Sequence, residues 1–179
     1  VYTHSPVHTD AYYAAKATQL KALDVDGIYL KDPSGLLTPE RVATLVPALK
    51  KVCGALPLQL HTHCLTGLAP YTALQAVEQG VDVVHTPTSA IANGASHSPT
   101  ELFTRNCRRR GHDVAIDLAP VEEAAARIAY IAEREDKPLG QPLQYDEFHF
   151  HHQMPGGMIS NLKYQLETIG LSDRLEDIL

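Results

Sequence analysis

The sequence lacks the features of several common protein classes. It has no apolar run near the roughly 20 residues that a membrane-spanning helix needs. Its formal net charge is -6, which argues against a surface for nucleic acid or for an anionic membrane. Neither glycine-rich phosphate-binding pattern, G-x-G-x-x-G or G-x-x-x-x-G-K-[ST], occurs. These absences argue against the commonest membrane, nucleic-acid and nucleotide-binding classes.

Cysteine is also scarce. The chain has three cysteines, an odd number without a close pair, at Cys53, Cys64 and Cys107. Such a set suits a reducing compartment better than a disulfide framework, so we expect a cytoplasmic protein. We interpret Cys64 as a small packing residue rather than a nucleophile or a metal ligand.

What the chain does contain is a repeated alternation of strand and helix patterns. Strands are predicted near residues 2–6, 27–30, 58–61 and 81–84, and helices near 9–23, 39–53, 68–79 and 99–110. Local signals support the helix ends: Thr38 before Pro39, Gly80 after the third helix, and a capping box of Ser98 and Glu101. Alternating strands and helices predict a parallel sheet with helical crossovers.

Polar residues follow the predicted strands, where both open parallel sheets and barrels place their chemistry. They are Ser5, Lys31, His61, His63 and Thr86. The missing glycine patterns favour a barrel over an open nucleotide-binding sheet. We therefore expect an α/β fold in which residues 1–112 form the carboxyl-terminal four units of a (β/α)8 TIM barrel. The chain is expected to be truncated at its amino end and to belong to a larger protein.

Residues 113–179 predict a mainly helical extension after the barrel. An alanine-rich amphipathic helix covers about residues 117–134, and a proline- and glycine-containing break follows at 137–142. The histidines at 149, 151 and 152 alternate with phenylalanine, which favours a half-buried extended segment over a second metal site. Ser160 or Asn161 is expected to cap the last helix.

His61 and His63 are candidate metal ligands. Side chains at i and i+2 of a strand lie on one face, so both imidazoles can reach one ion. Lys31 ends the preceding strand at the matching position, although an ordinary lysine paired with a carboxylate would fit there too. The adjacent Asp32 is interpreted either as a residue that orients a ligand or as a cap of the loop.

Four short motifs, taken in order, resemble one family. They are Lys31-Asp32-x-x-Gly35-Leu36-Leu37, His61-Thr62-His63, residues 92–101 and residues 153–162. Together they resemble the carboxyltransferase domain of biotin-dependent enzymes that act on pyruvate or oxaloacetate. That family includes pyruvate carboxylase, the oxaloacetate decarboxylase alpha subunit and a transcarboxylase subunit. The Pro-Gly-Gly-Met-x-Ser-Asn-Leu form looks closest to the decarboxylase alpha subunit and to the separate B subunit of pyruvate carboxylase.

The resemblance implies roles for single residues. His61 and His63 would bind a divalent ion, which is Zn, Mn or Co in the family, and Lys31 would reach it as a carbamate. An aspartate on the first barrel strand completes the family site, and this chain does not contain it, so the site is expected to be incomplete. Ser160 would shuttle a proton between biotin and the methyl group of pyruvate.

The resemblance also implies partners. These are pyruvate or oxaloacetate, a biotin carrier domain, biotin carboxylase or membrane decarboxylase subunits, and a second copy bound through the barrel. Association with a membrane would come through the partner subunits.

The sequence departs from the usual pyruvate carboxylase pattern at Cys64 and at Asp32-Pro33-Ser34-Gly35. Two alternatives remain: a metal-dependent aldolase, lyase or acyl synthase of the HMG-CoA lyase type, and a non-catalytic fragment.

Overall fold

A parallel sheet forms the centre of the computed structural model, which describes residues 4–179. Its three strands lie side by side in chain order: β1 (Ile28–Asp32), β2 (Leu58–Thr62) and β3 (Val83–Val84). The register sets Lys31 opposite His61, and Leu60 opposite Val84. The parallel order agrees with the strand-helix alternation of the sequence. Residues 2 and 3 of the first predicted strand lie outside the described residues, and Pro6 and Val7 lie in a turn.

Helices alternate with the strands. They are α1 (Asp10–Lys21), α2 (Pro39–Cys53), α3 (Ala69–Glu78) and α4 (Thr100–Arg109). The Thr38 hydroxyl accepts a hydrogen bond from the Arg41 amide at 3.2 Å and starts α2 as predicted. Gly80, with φ of 98°, follows the end of α3, because a left-handed backbone there favours glycine. Among the described residues, no helix is long and apolar enough to cross a membrane.

The hydrophobic core lies between the sheet and its crossover helices. Side chains from β1 and β2 pack against α2, and they include Ile28, Leu30, Leu58, Leu60, Val42, Leu45, Val46 and Leu49. All of these are buried. Burial of this apolar surface is the main force that holds the helices on the sheet, at roughly 25 cal/mol per Å².

The predicted capping box at the start of α4 is wrong. α4 begins after Pro99, and no side chain caps it. The buried Glu101 carboxylate instead accepts hydrogen bonds from the Ser89 amide and from the Ser89 hydroxyl, the latter at 2.8 Å. Ser89 opens a short 3-10 turn, Ser89–Ile91, and the first amide of a helical turn has no partner within that turn, so it donates to Glu101. A tertiary contact has replaced the local one.

The carboxyl-terminal part is helical, as the sequence indicates. It contains α5 (Leu118–Arg134), α6 (Phe148–His152), α7 (Gly156–Thr168) and α8 (Leu175–Ile178). The extended segment expected over residues 148–152 is instead α6, because the Asp146 carboxylate accepts a hydrogen bond from the Phe148 amide at 2.9 Å and starts a helical turn. The capping role expected of Ser160 or Asn161 is also wrong, since α7 already begins at Gly156, after Pro155.

The segment that joins α5 to α6 passes over the loops that follow β2 and β3. The Gly140 amide donates to the Ala90 carbonyl at 2.9 Å, and the Asp146 amide donates to the Thr66 carbonyl at 3.3 Å. A Cβ at Gly140 would overlap the Ala92 carbonyl oxygen, so only glycine permits this approach. The connecting segment is therefore packed against both loops.

Asp32 closes the loop after β1 and is fully buried. Its carboxylate accepts hydrogen bonds from the Leu36 and Leu37 amides, both at 3.0 Å, and from the Thr62 hydroxyl at 2.7 Å. Burial raises the pKa of the carboxyl group, while these three donors oppose that rise. Asp32 therefore caps the loop, and it also ties β1 to β2.

Asp32→Ala should destabilise the fold by about 3 kcal/mol, because two buried amides and one hydroxyl lose their acceptor. Asp26→Ala is the matched control, since Asp26 is an exposed aspartate just before the same strand. It should change the free energy of unfolding by less than about 0.5 kcal/mol. Urea denaturation of both variants measures the difference, and equal losses would contradict the capping role.

Candidate metal centre

Three histidines meet at the carboxyl edge of the sheet. His61 is near the end of β2, His63 follows that strand, and His97 lies in the loop between β3 and α4. The Nε2 atom of His61 lies 3.2 Å from Nε2 of His63 and 2.9 Å from Nε2 of His97. All three side chains are partly buried and form a group able to hold a metal ion.

The spacing fits coordination of a single ion. Imidazole nitrogens about 2.0–2.1 Å from a tetrahedral zinc ion lie about 3.3 Å apart. The separations of 3.2 Å and 2.9 Å are close to this value. Three imidazoles with open coordination positions beside them are a common arrangement in catalytic zinc sites.

The surroundings of His61 and His97 keep these two imidazoles neutral. Burial, followed by the neighbouring His63, lowers the pKa of His61 to about 4, and burial does the same for His97. His63 is fixed in another way: its Nδ1 lies 2.7 Å from the Ala95 carbonyl oxygen. A carbonyl can only accept, so Nδ1 of His63 carries the proton and Nε2 keeps its lone pair. Neutral imidazole is the form that binds metal.

Lys31 lies beside this cluster. It is the register partner of His61 across the β1–β2 pair and is partly buried. Its charge adds to the burial and the neighbouring histidines that lower the pKa values of His61 and His97. The structure thus brings together three residues singled out from the sequence, Lys31, His61 and His63, and their ligand role stays a prediction.

Ser160 is placed by the start of α7. The Gly156 amide donates to the Pro33 carbonyl at 3.0 Å, and a Cβ at Gly156 would lie 3.3 Å from the Ala95 Cα. Gly156 therefore rests on the loops that follow β1 and β3. Ser160 lies one helical turn further along and is exposed. Its part in proton transfer stays a prediction.

Sequence reasoning did not assign His97 to the cluster, although it lies within one of the quoted motifs. Its loop folds back through Asn93 and Gly94, which have φ of 70° and 53°, and the Asn93 amide donates to the His97 carbonyl at 2.7 Å. The Asn-Gly pair was a usable turn signal. It gives no indication of which strand end the turn faces.

Cys64 is buried next to the cluster. Burial raises the pKa of its thiol to about 11. A thiol with that pKa is neither a ready nucleophile nor a ready ligand, which agrees with the packing role expected from the sequence. Cys53 and Cys107 are likewise buried, unpaired thiols.

Comparison with known proteins identifies the family of this chain. A family model described as HMGL-like matches residues 5–128, and one described as the conserved carboxylase domain matches residues 150–179. The pyruvate carboxylase B subunit of Methanocaldococcus jannaschii is 38% identical over 99% of the chain and 31% of its own length. The methylmalonyl-CoA carboxyltransferase 5S subunit of Propionibacterium freudenreichii is 33% identical over 99% of the chain and 35% of its own length.

A solved structure shows the same fold. The carboxyl transferase domain of Rhizobium etli pyruvate carboxylase superposes with a TM-score of 0.87 at 28% identity, covering 97% of the chain and 30% of that domain's chain. The chain spans about a third of the length of the relatives it matches, consistent with the part of a barrel expected from the sequence. The chain belongs to the HMGL-like family and carries, at residues 150–179, a match to the conserved carboxylase domain.

Proposed function

We propose that this chain is part of a biotin-dependent carboxyltransferase, which moves a carboxyl group between carboxybiotin and pyruvate or oxaloacetate. The observation that carries the proposal is the convergence of three imidazole Nε2 atoms beside Lys31 at the carboxyl edge of a parallel sheet. A structure of the Rhizobium etli domain with pyruvate and biocytin, 29% identical with a TM-score of 0.85, supports this class of substrate and carrier.

His61, His63 and His97 would hold the divalent cation, and their nitrogen donors suit zinc, manganese or cobalt. Lys31 would join them as a carbamate, because a protonated ammonium offers no lone pair whereas a carbamate offers an oxygen. A cation held there would stabilise negative charge on the keto acid oxygen. The neutral, partly buried imidazoles of His61 and His97 would not bind competing protons near neutral pH.

Ser160 would hold the proton that moves between the methyl carbon of the keto acid and biotin. Its hydroxyl is exposed on the second turn of α7, so it is open to a carrier-borne group. The hydrogen bond from Gly156 to Pro33 ties this helix to a loop that begins two residues after Lys31. Ser160 and the metal ligands are thereby held on one framework.

The named relatives favour a 2-oxo acid as the carboxyl acceptor. Besides the B subunit of pyruvate carboxylase, they include the 2-oxoglutarate carboxylase large subunit of Hydrogenobacter thermophilus, which is 30% identical over 99% of the chain. Aldol or acyl-synthase chemistry of the HMG-CoA lyase type is the alternative that the HMGL-like match favours. The match at residues 150–179 and Lys31 beside the imidazoles favour carboxyl transfer.

The partners follow from the same class of enzyme. We propose a biotin carrier domain and a biotin carboxylase, and the solved structure of a complete multifunctional pyruvate carboxylase from Rhizobium etli supports this assembly. Membrane decarboxylase subunits are the alternative partners. A homodimer through the barrel, a cytoplasmic location and a division between residues 1–112 and 113–179 complete the proposal.

Replacing any one of His61, His63 and His97 by alanine should weaken metal binding by more than roughly a hundredfold, because each contributes a direct ligand. His112→Ala is the matched control, since this histidine pairs with Glu78 of α3, 3.2 Å away, outside the cluster. Metal content after dialysis, measured by mass spectrometry, reports the effect. Full metal content in the three variants would refute the centre.

Lys31→Arg should retain positive charge yet abolish carboxyl transfer, because guanidinium stays protonated and forms no carbamate. Lys51→Arg, at an exposed position of α2, should behave as wild type. Intact-mass measurement of the wild type under carbon dioxide should show one adduct that the Lys31 variant lacks. Normal transfer by Lys31→Arg would rule out the carbamate.

Ser160→Ala should lower biotin-dependent turnover by about a hundredfold or more, the scale expected for a positioned proton-transfer group. Ser160→Thr keeps the hydroxyl and should keep much of the rate. Ser172→Ala, at another exposed serine, should leave turnover unchanged. Because Ser160 is exposed and lies inside α7, the thermal midpoint should hardly change. A fully active Ser160→Ala enzyme would disprove the role.

A further inference from the structure

His61 has a second contact, on the side of its ring that faces away from the other two ligands. Its Nδ1 lies 3.2 Å from Nδ1 of His85, which follows β3. Nε2 of His85 in turn lies 2.9 Å from Oε1 of Gln59. Gln59, His85 and His61 therefore form a continuous chain of contacts that ends at the metal centre.

The fold holds the members of this chain in place. Gln59 and His61 are two residues apart on β2, so their side chains share one face of the sheet. The His85 amide donates to the Leu60 carbonyl at 3.0 Å, which fixes His85 between them. The Tyr29 ring lies beside both imidazoles, with centroids 5.7 Å from His85 and 6.3 Å from His61. The three side chains are partly buried.

The chemistry of the groups assigns the protons. An amide oxygen can only accept, so Nε2 of His85 carries its proton and donates to Gln59. Nδ1 of His85 then has a lone pair, and it accepts the proton of His61 Nδ1. Nε2 of His61 is thereby left without a proton, with its lone pair directed at His63 and His97. One amide sets the tautomers of two imidazoles.

We propose that Gln59 and His85 are positioning residues that select the metal-binding tautomer of His61 and orient its ring. The inference rests on the proposed metal centre. Residues that hydrogen-bond to a ligating histidine without binding the metal themselves fix its tautomer and raise its basicity. Losing one of them typically weakens metal affinity by roughly 10–100-fold. His85 itself does not reach the cluster with a ligand atom, since both its nitrogens are engaged elsewhere.

Two substitutions at His85 separate this role from simple packing. The contact to His61 uses Nδ1, and the Oδ1 atom of asparagine can occupy nearly the same place as an acceptor. His85→Asn should therefore preserve the tautomer of His61. His85→Leu fills similar space but offers no acceptor, so the ring of His61 loses its partner. Gln59→Leu leaves His85 free to take either tautomer and should have a smaller effect.

Zinc affinity of the intact protein, measured by chelator competition, gives the first test. His85→Leu should bind zinc roughly 10–100-fold more weakly than wild type. The zinc affinity of Gln59→Leu should lie between those of wild type and His85→Leu. His85→Asn should stay within about threefold of wild type, because it keeps the acceptor. Unchanged affinity in His85→Leu, or equal losses in the asparagine and leucine variants, would overturn the proposal.

The tautomer of His61 in the metal-free protein gives a second test, which does not depend on metal binding. Ring nitrogen-15 NMR should show His61 protonated at Nδ1 in wild type and in His85→Asn, and a mixture of tautomers in His85→Leu and Gln59→Leu. Protonation of wild-type His61 at Nε2 would refute the role of Gln59 and His85 in selecting the tautomer. If wild type shows the expected tautomer but binds no zinc, the metal centre is refuted and the selection of the tautomer still stands.

Discussion

The parallel pairing of β1 with β2 is the constraint on which the rest of the site depends. Its register sets Lys31 beside His61 and Asp32 beside Thr62. The first pair lies at the candidate metal centre, and the second pair ties β1 to β2. The Asp32 carboxylate bonds to Thr62 and to two amides of its own loop. A slip of this register by one residue would turn every side chain of β2 to the other face and separate both pairs.

Local signals allowed much of this framework to be predicted. Thr38 with Pro39, and Gly80, mark helix ends through interactions within a few residues, so they could be recognised without knowledge of the fold. The sequence also predicts that Lys31, His61 and His63 lie at the same edge of the sheet, because parallel strands bring their carboxyl ends together. Their neighbourhood follows from strand order alone.

The rest required tertiary information. Glu101 does not cap α4 because its carboxylate accepts from the Ser89 amide, a partner that no local pattern reveals. The alternation of phenylalanine and histidine around α6 fits a strand face as well as a short helix, and Asp146 decided between them. His97 was missed since its position depends on the direction in which a fourteen-residue loop, residues 85–98, folds back. The turn at Asn93 could be recognised, but its orientation could not.

The glycine contact of the connecting segment has a consequence for cooperativity. The backbone at Gly140 lies directly on Ala92, near the start of the turn that carries His97, and Asp146 bonds to the loop after β2. Backbone contacts of this kind cannot be repacked one side chain at a time. Local opening of the connecting segment would break its backbone hydrogen bonds to both histidine-bearing loops. The stability of the HMGL-like part is therefore coupled to that of the segment that leads to the conserved carboxylase part.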